Sequence, residues 1–342
     1  MLLAMRRALP IVASAVLGGA LLFGLVGTTS AKPPAAAASC AQRGRVVFDK
    51  DTVLVDASGR KLARFSGGES AVTFTAPPSD GSELARIETG TGRGSFRISG
   101  FVKASELRLY AAQQLPVVSG HVWIASGTRV VATGSSAGKV RVEARLGAPF
   151  EQRVTTTTEC AALGFNPASP VVTKTPASAR FFLFKEARLD LYDSVPPVSD
   201  AIFTLQRSPA ADSARFFSTE QRGGFVHVRY EGEVVVDAWA KASDLQPLPR
   251  GETSAVPSGS YSLSSAPQLQ LSELPRVVRT SRDLPLRITA RDADAPIGVV
   301  EADTEVYVMD VLGGWTKVLP KSLHVLPFGD AAFWVKSAEL GK

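Results

Sequence analysis

The chain has 342 residues, of which 45% are hydrophobic and 20% are charged, with 29 glycines and 22 prolines. This composition excludes a collagen, a disordered polyelectrolyte and a polytopic membrane protein, and the length allows two or three domains with a sizeable core. The formal net charge of +6 is uneven: residues 32–175 hold 18 basic and 11 acidic residues, whereas residues 176–342 hold 18 basic and 21 acidic ones.

Residues 1–31 have the pattern of a signal peptide. Arg6 and Arg7 form a short basic region, residues 8–26 are apolar, and small residues lead up to Ala31. We expect cleavage after Ala31 and export to the periplasm or the extracellular space, in association with the cell envelope. The apolar run is also long enough to cross a bilayer, so an uncleaved anchor is the alternative and would be the one contact with the membrane.

The two cysteines, Cys40 and Cys160, have two interpretations. Cys40 follows a small-residue run that faintly resembles a lipoprotein signal, although that signal requires the apolar region directly upstream. In an oxidising compartment the two cysteines would instead form a disulfide bond. We favour the disulfide, which in the chain-entropy model restricts the unfolded chain by about 4–5 kcal/mol.

A seven-residue motif occurs three times, which indicates a duplicated unit. Its pattern is an aromatic residue, a small apolar residue, lysine, two small residues, an acid and leucine. The copies are residues 101–107 (FVKASEL), 239–245 (WAKASDL) and 334–340 (WVKSAEL), and residues 158–163 (TECAAL) resemble a degraded fourth copy. We expect each copy to form a short 3₁₀ turn followed by a last strand.

Each repeat also has a glycine-containing turn upstream of the motif. Residues 223–228 (GGFVHV) and 313–318 (GGWTKV) share a glycine pair, an aromatic residue and a valine, and residues 94–98 and 138–142 are shorter relatives. Glycine supplies the positive φ of a turn, and the alternating residues that follow predict a strand. This assignment makes Phe96 the strand-opening aromatic of the first repeat.

Short alternating runs occur throughout the rest of the chain. Residues 122–130 and 300–308 predict a strand, a turn and a second strand, and residues 188–192 and 284–288 predict opening strands. Residues 41–342 contain no apolar period of 3.6 residues over three turns. The sequence therefore predicts an all-β protein of tandem small antiparallel barrels.

The glycine–aromatic strand and the repeated ending together resemble the bacterial SH3-like (SH3b) domain. The resemblance is best over 277–342, good over 178–249 and fair over 44–112, and over 113–165 it rests on residues 125–130 (ASGTRV). The first repeat departs from the pattern, because it has five positions between its two aromatic landmarks against 14 and 19 in the last two repeats. The resemblance implies SH3-like barrels. The family often accompanies peptidoglycan hydrolases, but we expect this chain to have no room for such a catalytic domain.

Composition suggests the boundaries of these parts, because stretches rich in Pro, Ala, Ser and Thr bury too little surface to fold. The expected segments are a signal peptide (1–31), a Pro/Ala tether (32–43), SH3b-like unit 1 (44–112), degenerate unit 2 (113–165), a linker (166–177), unit 3 (178–249), a linker (250–276) and unit 4 (277–342). We expect the last linker to let the fourth unit search around the rest of the protein.

The sequence offers no candidate for catalysis. His121, His227 and His324 lie in separate repeats without metal-ligand spacing, and neither cysteine has a histidine nearby in sequence. His227 alternates with valines and predicts an ordinary strand histidine. A phosphate-binding glycine loop is absent from the sequence, and the basic residues alternate with acidic ones. We therefore predict a protein that is not an enzyme, uses no metal or cofactor and does not bind nucleic acid.

Trp239, Trp315 and Trp334 are the candidate ligand-binding residues, since aromatic rings stack on sugars and peptides. The alternative is that the three side chains only pack in the core. The fourth unit has tryptophan at both landmarks, so we expect binding to be strongest there. The expected partner is cell-wall material (peptidoglycan) or an envelope protein. The alternative function is a structural or assembly scaffold that acts through protein–protein contacts alone.

Overall fold

The computed structural model describes residues 39–49, 51–90, 94–169, 171, 174–195, 200–208, 214–249 and 275–340. The predicted leader and most of the linker 250–276 lie outside these residues. All regular structure in the described residues is antiparallel strand apart from three single-turn 3₁₀ helices, which confirms the all-β prediction. No helix among them is long and apolar enough to span a membrane.

Strands form where buried and exposed residues alternate along the chain, as the period of two requires. The first unit contributes β1 (Gln42–Val47), β2 (Val53–Val55), β3 (Lys61–Phe65), β4 (Glu69–Ala76), β5 (Leu84–Thr89) and β6 (Phe96–Lys103). The next strands are β7 (Leu109–Ala111), β8 (Leu115–Val118), β9 (Val122–Ile124), β10 (Arg129–Ser136), β11 (Lys139–Leu146), β12 (Gln152–Thr158) and β13 (Leu163–Gly164). β7 pairs with β10 and β13, so its residues belong to the sheet of the second unit.

The second half of the chain repeats this arrangement. The third unit contributes β14 (Arg180–Phe184), β15 (Arg188–Tyr192), β16 (Phe203–Gln206), β17 (Arg215–Arg222), β18 (Phe225–Glu231), β19 (Val234–Lys241) and β20 (Leu245–Pro247). The fourth contributes β21 (Arg276–Arg279), β22 (Leu284–Leu286), β23 (Gly298–Val300), β24 (Glu305–Leu312), β25 (Trp315–Pro320), β26 (Val325–Pro327) and β27 (Phe333–Lys336). The buried residues of all four units form one continuous hydrophobic core.

The predicted 3₁₀ turns are confirmed at three of the four repeat endings. They are Cys160–Ala162, Ala242–Asp244 and Ser337–Glu339, and the first and second are followed by strands β13 and β20. The leucines that follow these two turns, Leu163 and Leu245, are buried. The degraded copy at 158–163 therefore has the same local structure as the intact copies.

Phe96 opens a strand after the turn at Gly94, as predicted, but it is not the counterpart of Phe225 and Trp315. Phe96 and Phe101 lie in the same strand, β6, and the strand paired with the motif is β5, which begins at Leu84. Leu84 lies 17 positions before Phe101 (101 − 84), which is comparable with the 14 and 19 positions of the other repeats. Three equivalent hydrogen bonds support this alignment: Ala104 N to Glu83 O (2.8 Å), Ala242 N to Gly224 O (2.9 Å) and Ser337 N to Gly314 O (2.9 Å).

None of the described sheets closes into a barrel. The strands of the first unit follow the order β1-β4-β5-β6-β2-β3, and the main sheet of the fourth unit follows the order β21-β24-β25-β27. In β6 and β19, only the second half of each strand pairs with the opening hairpin of its own unit. The first half of each strand pairs with another unit.

The units associate in two equivalent pairs. β23 of the fourth unit pairs with β6 of the first, and β9 of the second unit pairs with β19 of the third. The paired segments begin at Phe96 and Val234, and each lies five residues before the aromatic residue of its motif, Phe101 or Trp239. The same register in both pairs indicates that the contact between units belongs to the duplicated structure.

In each pair of units, a buried threonine also contacts the turn before the shared strand. The Thr128 hydroxyl donates to the carbonyl of Glu233 (3.1 Å), and the Thr304 hydroxyl lies 3.4 Å from the carbonyl of Ser95. Both carbonyls belong to the turn that precedes the shared strand. A buried hydroxyl with a partner avoids the cost of an unpaired polar group.

Aromatic packing adds to both pairs. Phe96 lies 5.7 Å from Phe333 between the first and fourth units, and Phe150 lies 5.1 Å from Tyr230 between the second and third. Burial, with a smaller effect of the Glu233 charge, raises the pKa of Tyr230 to about 12. The expectation of a freely searching fourth unit is therefore wrong, because its strands are hydrogen-bonded to the first unit.

We expect Gly298→Ala to weaken the pair formed by units 1 and 4. A Cβ at this position would overlap the backbone carbonyl oxygen of Arg97 across the β23–β6 pair. Overpacking of this kind costs about 1–3 kcal/mol, and urea unfolding combined with hydrogen exchange of β23 would measure it. Gly164→Ala is the control, since its nearest new contacts are at 3.9 Å. Unchanged exchange in Gly298→Ala would contradict the prediction.

The predicted disulfide bond between Cys40 and Cys160 is confirmed, with the two Cα atoms 5.5 Å apart. It joins the segment before β1 to the 3₁₀ turn of the second unit. The side-chain amide of Gln42 also donates to the carbonyl of Cys160 (3.0 Å). A disulfide fits an oxidising compartment, in agreement with the predicted export.

Candidate functional site

The main sheet of the fourth unit has one face in the core and one on the surface. Val306, Val318 and Phe333 are fully buried on the core side. Residues that are paired directly across antiparallel strands project to the same side of a sheet. The cross-strand register therefore identifies the residues on the opposite side, row by row.

Three rows make up this opposite side, which we call the outer face of the fourth unit. The rows are Leu312, Trp315 and Lys336, then Asp310, Lys317, Trp334 and Arg287, and finally Val277, Tyr307 and Leu319. The outer face thus combines two tryptophans, three cations and a group of apolar side chains within one small sheet.

Trp315 lies beneath two cations. It is 7% exposed, and the Arg287 Cζ and Lys336 Nζ atoms lie 5.6 Å and 5.7 Å from its ring centroid. A cation over an aromatic ring contributes about 0.5–1 kcal/mol at a partly exposed site. Trp334 lies in the next row and is half-buried, so part of its ring remains accessible.

Arg287 carries donors that the protein does not use. Its backbone exchanges hydrogen bonds with Trp334 (3.0 and 2.8 Å), which fixes the position of the residue. Within the described residues, its Nε and Nη1 atoms are buried without a hydrogen-bond partner. Lys336, by contrast, forms an ion pair with Asp292 (2.7 Å). An unpaired buried donor costs about 1–3 kcal/mol, and an anionic ligand would remove that cost.

A pocket of about 280 Å³ adjoins the third row of the outer face. Tyr307, Met309 and Leu319 line it from the sheet, while Leu323 and Leu326 line it from the loop that leads into β26 and from β26 itself. The lining is mostly aliphatic and aromatic, which suits an apolar side chain.

The tip of the β24–β25 hairpin exposes two aliphatic side chains. Val311 and Leu312 are 60% and 61% exposed. The equivalent hairpin of the third unit carries Gln221 and Arg222, as the pairing of Arg222 with Phe225 and of Leu312 with Trp315 shows. The hairpin fold therefore does not require aliphatic residues at these positions.

The third unit has an equivalent face with different chemistry. Phe225 pairs with Lys241, and His227 pairs with Trp239 at 4.9 Å between ring centroids. Tyr192 occupies the place of Arg287, since it pairs with Trp239 as Arg287 does with Trp334. Lys241 Nζ lies 5.7 Å from the ring centroid of Tyr192. This face keeps the aromatic rings but lacks the arginine.

His227 lies on the strand face opposite the buried Val226 and Val228, as predicted. Its Nε2 atom lies 3.0 Å from Asp237, whose other oxygen accepts a hydrogen bond from Arg229 (2.7 Å). Burial raises the pKa of Asp237, but the hydrogen bonds from His227 and Arg229 outweigh it and hold the pKa below its usual value.

We expect Asp237→Asn to lower the free energy of unfolding by about 1–2 kcal/mol near neutral pH. The pKa of Asp237 is lower in the folded state, so its stabilisation is complete above the unfolded-state pKa. That stabilisation is lost as the pH falls through the folded-state pKa. Urea unfolding at several pH values should therefore show the variant and the wild type converging in acid. The exposed Asp330→Asn is the control, and a constant difference at all pH values would contradict the prediction.

The three predicted binding residues lie on two separate faces. Trp315 and Trp334 share the outer face of the fourth unit, whereas Trp239 lies on the equivalent face of the third unit. Arg287 was not singled out from the sequence, because it joins the face through a bridge to a residue 47 positions away. Leu319 could have been assigned to the same face as Trp315 from the sequence, because residues 315, 317 and 319 alternate along one strand.

Within the parts of the chain that the structure describes, no group of three or more His, Cys, Asp or Glu side chains is placed to hold a metal ion. No protein-family model, curated protein or solved structure matches the chain. The chemistry of the outer face is therefore the basis on which function can be argued.

Proposed function

We propose that this protein is a non-catalytic, exported cell-envelope protein whose SH3b-like repeats bind cell-wall glycan or peptide. The observation that carries the proposal is the outer face of the fourth unit, where Trp334 is accessible beside Arg287 and Lys336. Aromatic rings with adjacent charged donors are typical of sites for sugars and peptides. The repeated hairpins and 3₁₀ endings support the SH3-like assignment, and the disulfide supports export.

A sedimentation assay with purified sacculi tests this function. We expect the mature protein to pellet with sacculi, and Trp334→Ala to weaken that binding about tenfold, which corresponds to about 1.4 kcal/mol. Trp239→Ala is the comparison at the equivalent position on the third unit, where we expect a smaller loss because the fourth unit should bind most strongly. Circular dichroism melting must show that both variants remain folded. Failure of the wild-type protein to pellet above a control protein would remove the wall-binding function.

A second candidate function is an envelope scaffold that acts through protein contacts. The exposed Val311 and Leu312 favour it, because the equivalent hairpin of the third unit is polar. Replacing both residues with their third-unit equivalents, Val311→Gln and Leu312→Arg, should remove an apolar contact without changing the fold. Loss of a partner from pull-downs of periplasmic extract, with sacculus binding absent, would favour the scaffold.

A further inference from the structure

The charge on the outer face of the fourth unit is not balanced. Asp292 is paired with Lys336, and the carboxylate of Asp310 accepts the backbone N–H of Val311 (2.7 Å). Arg287 has neither an ion pair nor a hydrogen bond to its buried Nε and Nη1 atoms among the described residues. A guanidinium with free donors beside an aromatic ring is suited to a carboxylate, because its planar donors can hold both oxygens.

The apolar pocket lies further along β25 than the tryptophan ring that this cation covers. Trp315, which Arg287 covers, and Leu319, which lines the pocket, are four residues apart in β25. A strand rises about 3.3 Å per residue, so Trp315 and Leu319, which mark the two ends of the site, are separated by about 13 Å along β25. This spacing equals four residues of an extended peptide and exceeds the reach of a single amino acid.

We propose that the outer face of the fourth unit binds an extended peptide that carries a carboxylate and, four residues away, a branched aliphatic side chain. The carboxylate binds Arg287 beside Lys336, the peptide crosses Lys317 and Trp334, and the aliphatic side chain enters the pocket beside Leu319. This inference rests on the proposed binding function and names the ligand class of its site.

The third unit shows why this specificity belongs to the fourth. Tyr192 stands in place of Arg287, so the carboxylate donors are missing there. Arg229 takes the place of Leu319, since each lies four residues after the aromatic residue that opens its strand, and Arg229 is bound to Asp237. Both ends of the peptide site are thus changed in the third unit, while the tryptophan is retained.

Titration of the mature protein with two matched peptides tests the proposal. The probes are acetyl-Leu-Ala-Ala-Ala-Ala with a free C-terminal carboxylate and the same peptide as its C-terminal amide, followed by tryptophan fluorescence and calorimetry. We expect the acid to bind at least tenfold more tightly than the amide. Acetyl-penta-alanine acid should bind more weakly than the leucine peptide, since the pocket then stays unfilled. Equal affinity of the acid and the amide would overturn the proposal.

The variant Arg287→Gln should reduce the affinity for the acid peptide to that for the amide. The guanidinium has no hydrogen bond to the protein at Nε and Nη1, so the fold should remain, and a melting curve checks this. Arg276→Gln is the charge-matched control, because Arg276 is exposed and lies next to Val277, on the other side of the sheet. An unchanged affinity of Arg287→Gln for the acid would also overturn the proposal.

The sacculus assay separates this inference from the function on which it rests. If the acid peptide binds through Arg287 but sacculi do not pellet the protein, the peptide site stands and the wall-binding function fails. If sacculi pellet the protein but neither peptide binds, the wall-binding function stands and the peptide site is refuted.

Discussion

Replacing Trp315 with alanine is expected to lower the free energy of unfolding by about 3–5 kcal/mol, the usual cost of deleting a large buried aromatic side chain. Trp315 belongs to the outer face by register, yet it is 7% exposed beneath Arg287 and Lys336. Its loss would leave both cations without their aromatic support. Urea unfolding and a circular dichroism melt would measure the effect.

Trp334→Ala is the matched comparison, because Trp334 lies one row away and is half-buried. We expect it to cost about 1 kcal/mol, in proportion to the smaller apolar area that it buries. A stable Trp315→Ala would mean that the ring is part of an open groove. A collapsed melt of Trp334→Ala would mean that Trp334 belongs to the core, and its use in binding assays would then be invalid.

Removing the disulfide bond by the double change Cys40→Ala and Cys160→Ala should lower the free energy of unfolding by about 4–5 kcal/mol. The bond spans a sequence separation of 120 residues, and the chain-entropy model gives this cost for a loop of that size. Changing both cysteines avoids leaving one free thiol. Urea unfolding without reductant measures the loss.

The wild-type protein in excess reductant is the control and should unfold at the same urea concentration as the double variant. Peptide mass mapping without reductant should detect the Cys40–Cys160 peptide. Two free thiols in the protein purified without reductant, or equal stability of the double variant and the oxidised wild type, would contradict the prediction.

The local structure of this protein is largely readable from its sequence, because alternation and turn residues determine strands independently of their partners. The successive strands β9 and β10, the successive strands β23 and β24, and the 3₁₀ ending at Cys160–Ala162 follow from such local signals. The disulfide follows from the cysteine count and the expected compartment. The prediction of closed barrels is wrong, because the alternation of buried and exposed residues does not specify which strand lies next to which.

The different spacing in the first repeat shows the same limit. Its glycine-flanked turn resembles the landmark of the other repeats, but the first half of β6 belongs to the contact with the fourth unit. The candidate site was only partly predictable for a related reason. Trp315 and Trp334 stand in repeated motifs, whereas Arg287 reaches them through a long-range bridge that no local pattern encodes.

The pairing of the first unit with the fourth has a consequence for the order in which the protein can fold during its synthesis. Residues 96–98 emerge from the ribosome some 200 residues before residues 298–300, with which they form backbone hydrogen bonds. During that interval the first half of β6 presents unpaired N–H and C=O groups, a template for association with other chains. The second and third units face a shorter delay, because β9 precedes β19 by about 110 residues. The need for chaperones is therefore greatest for the unit that is synthesised first.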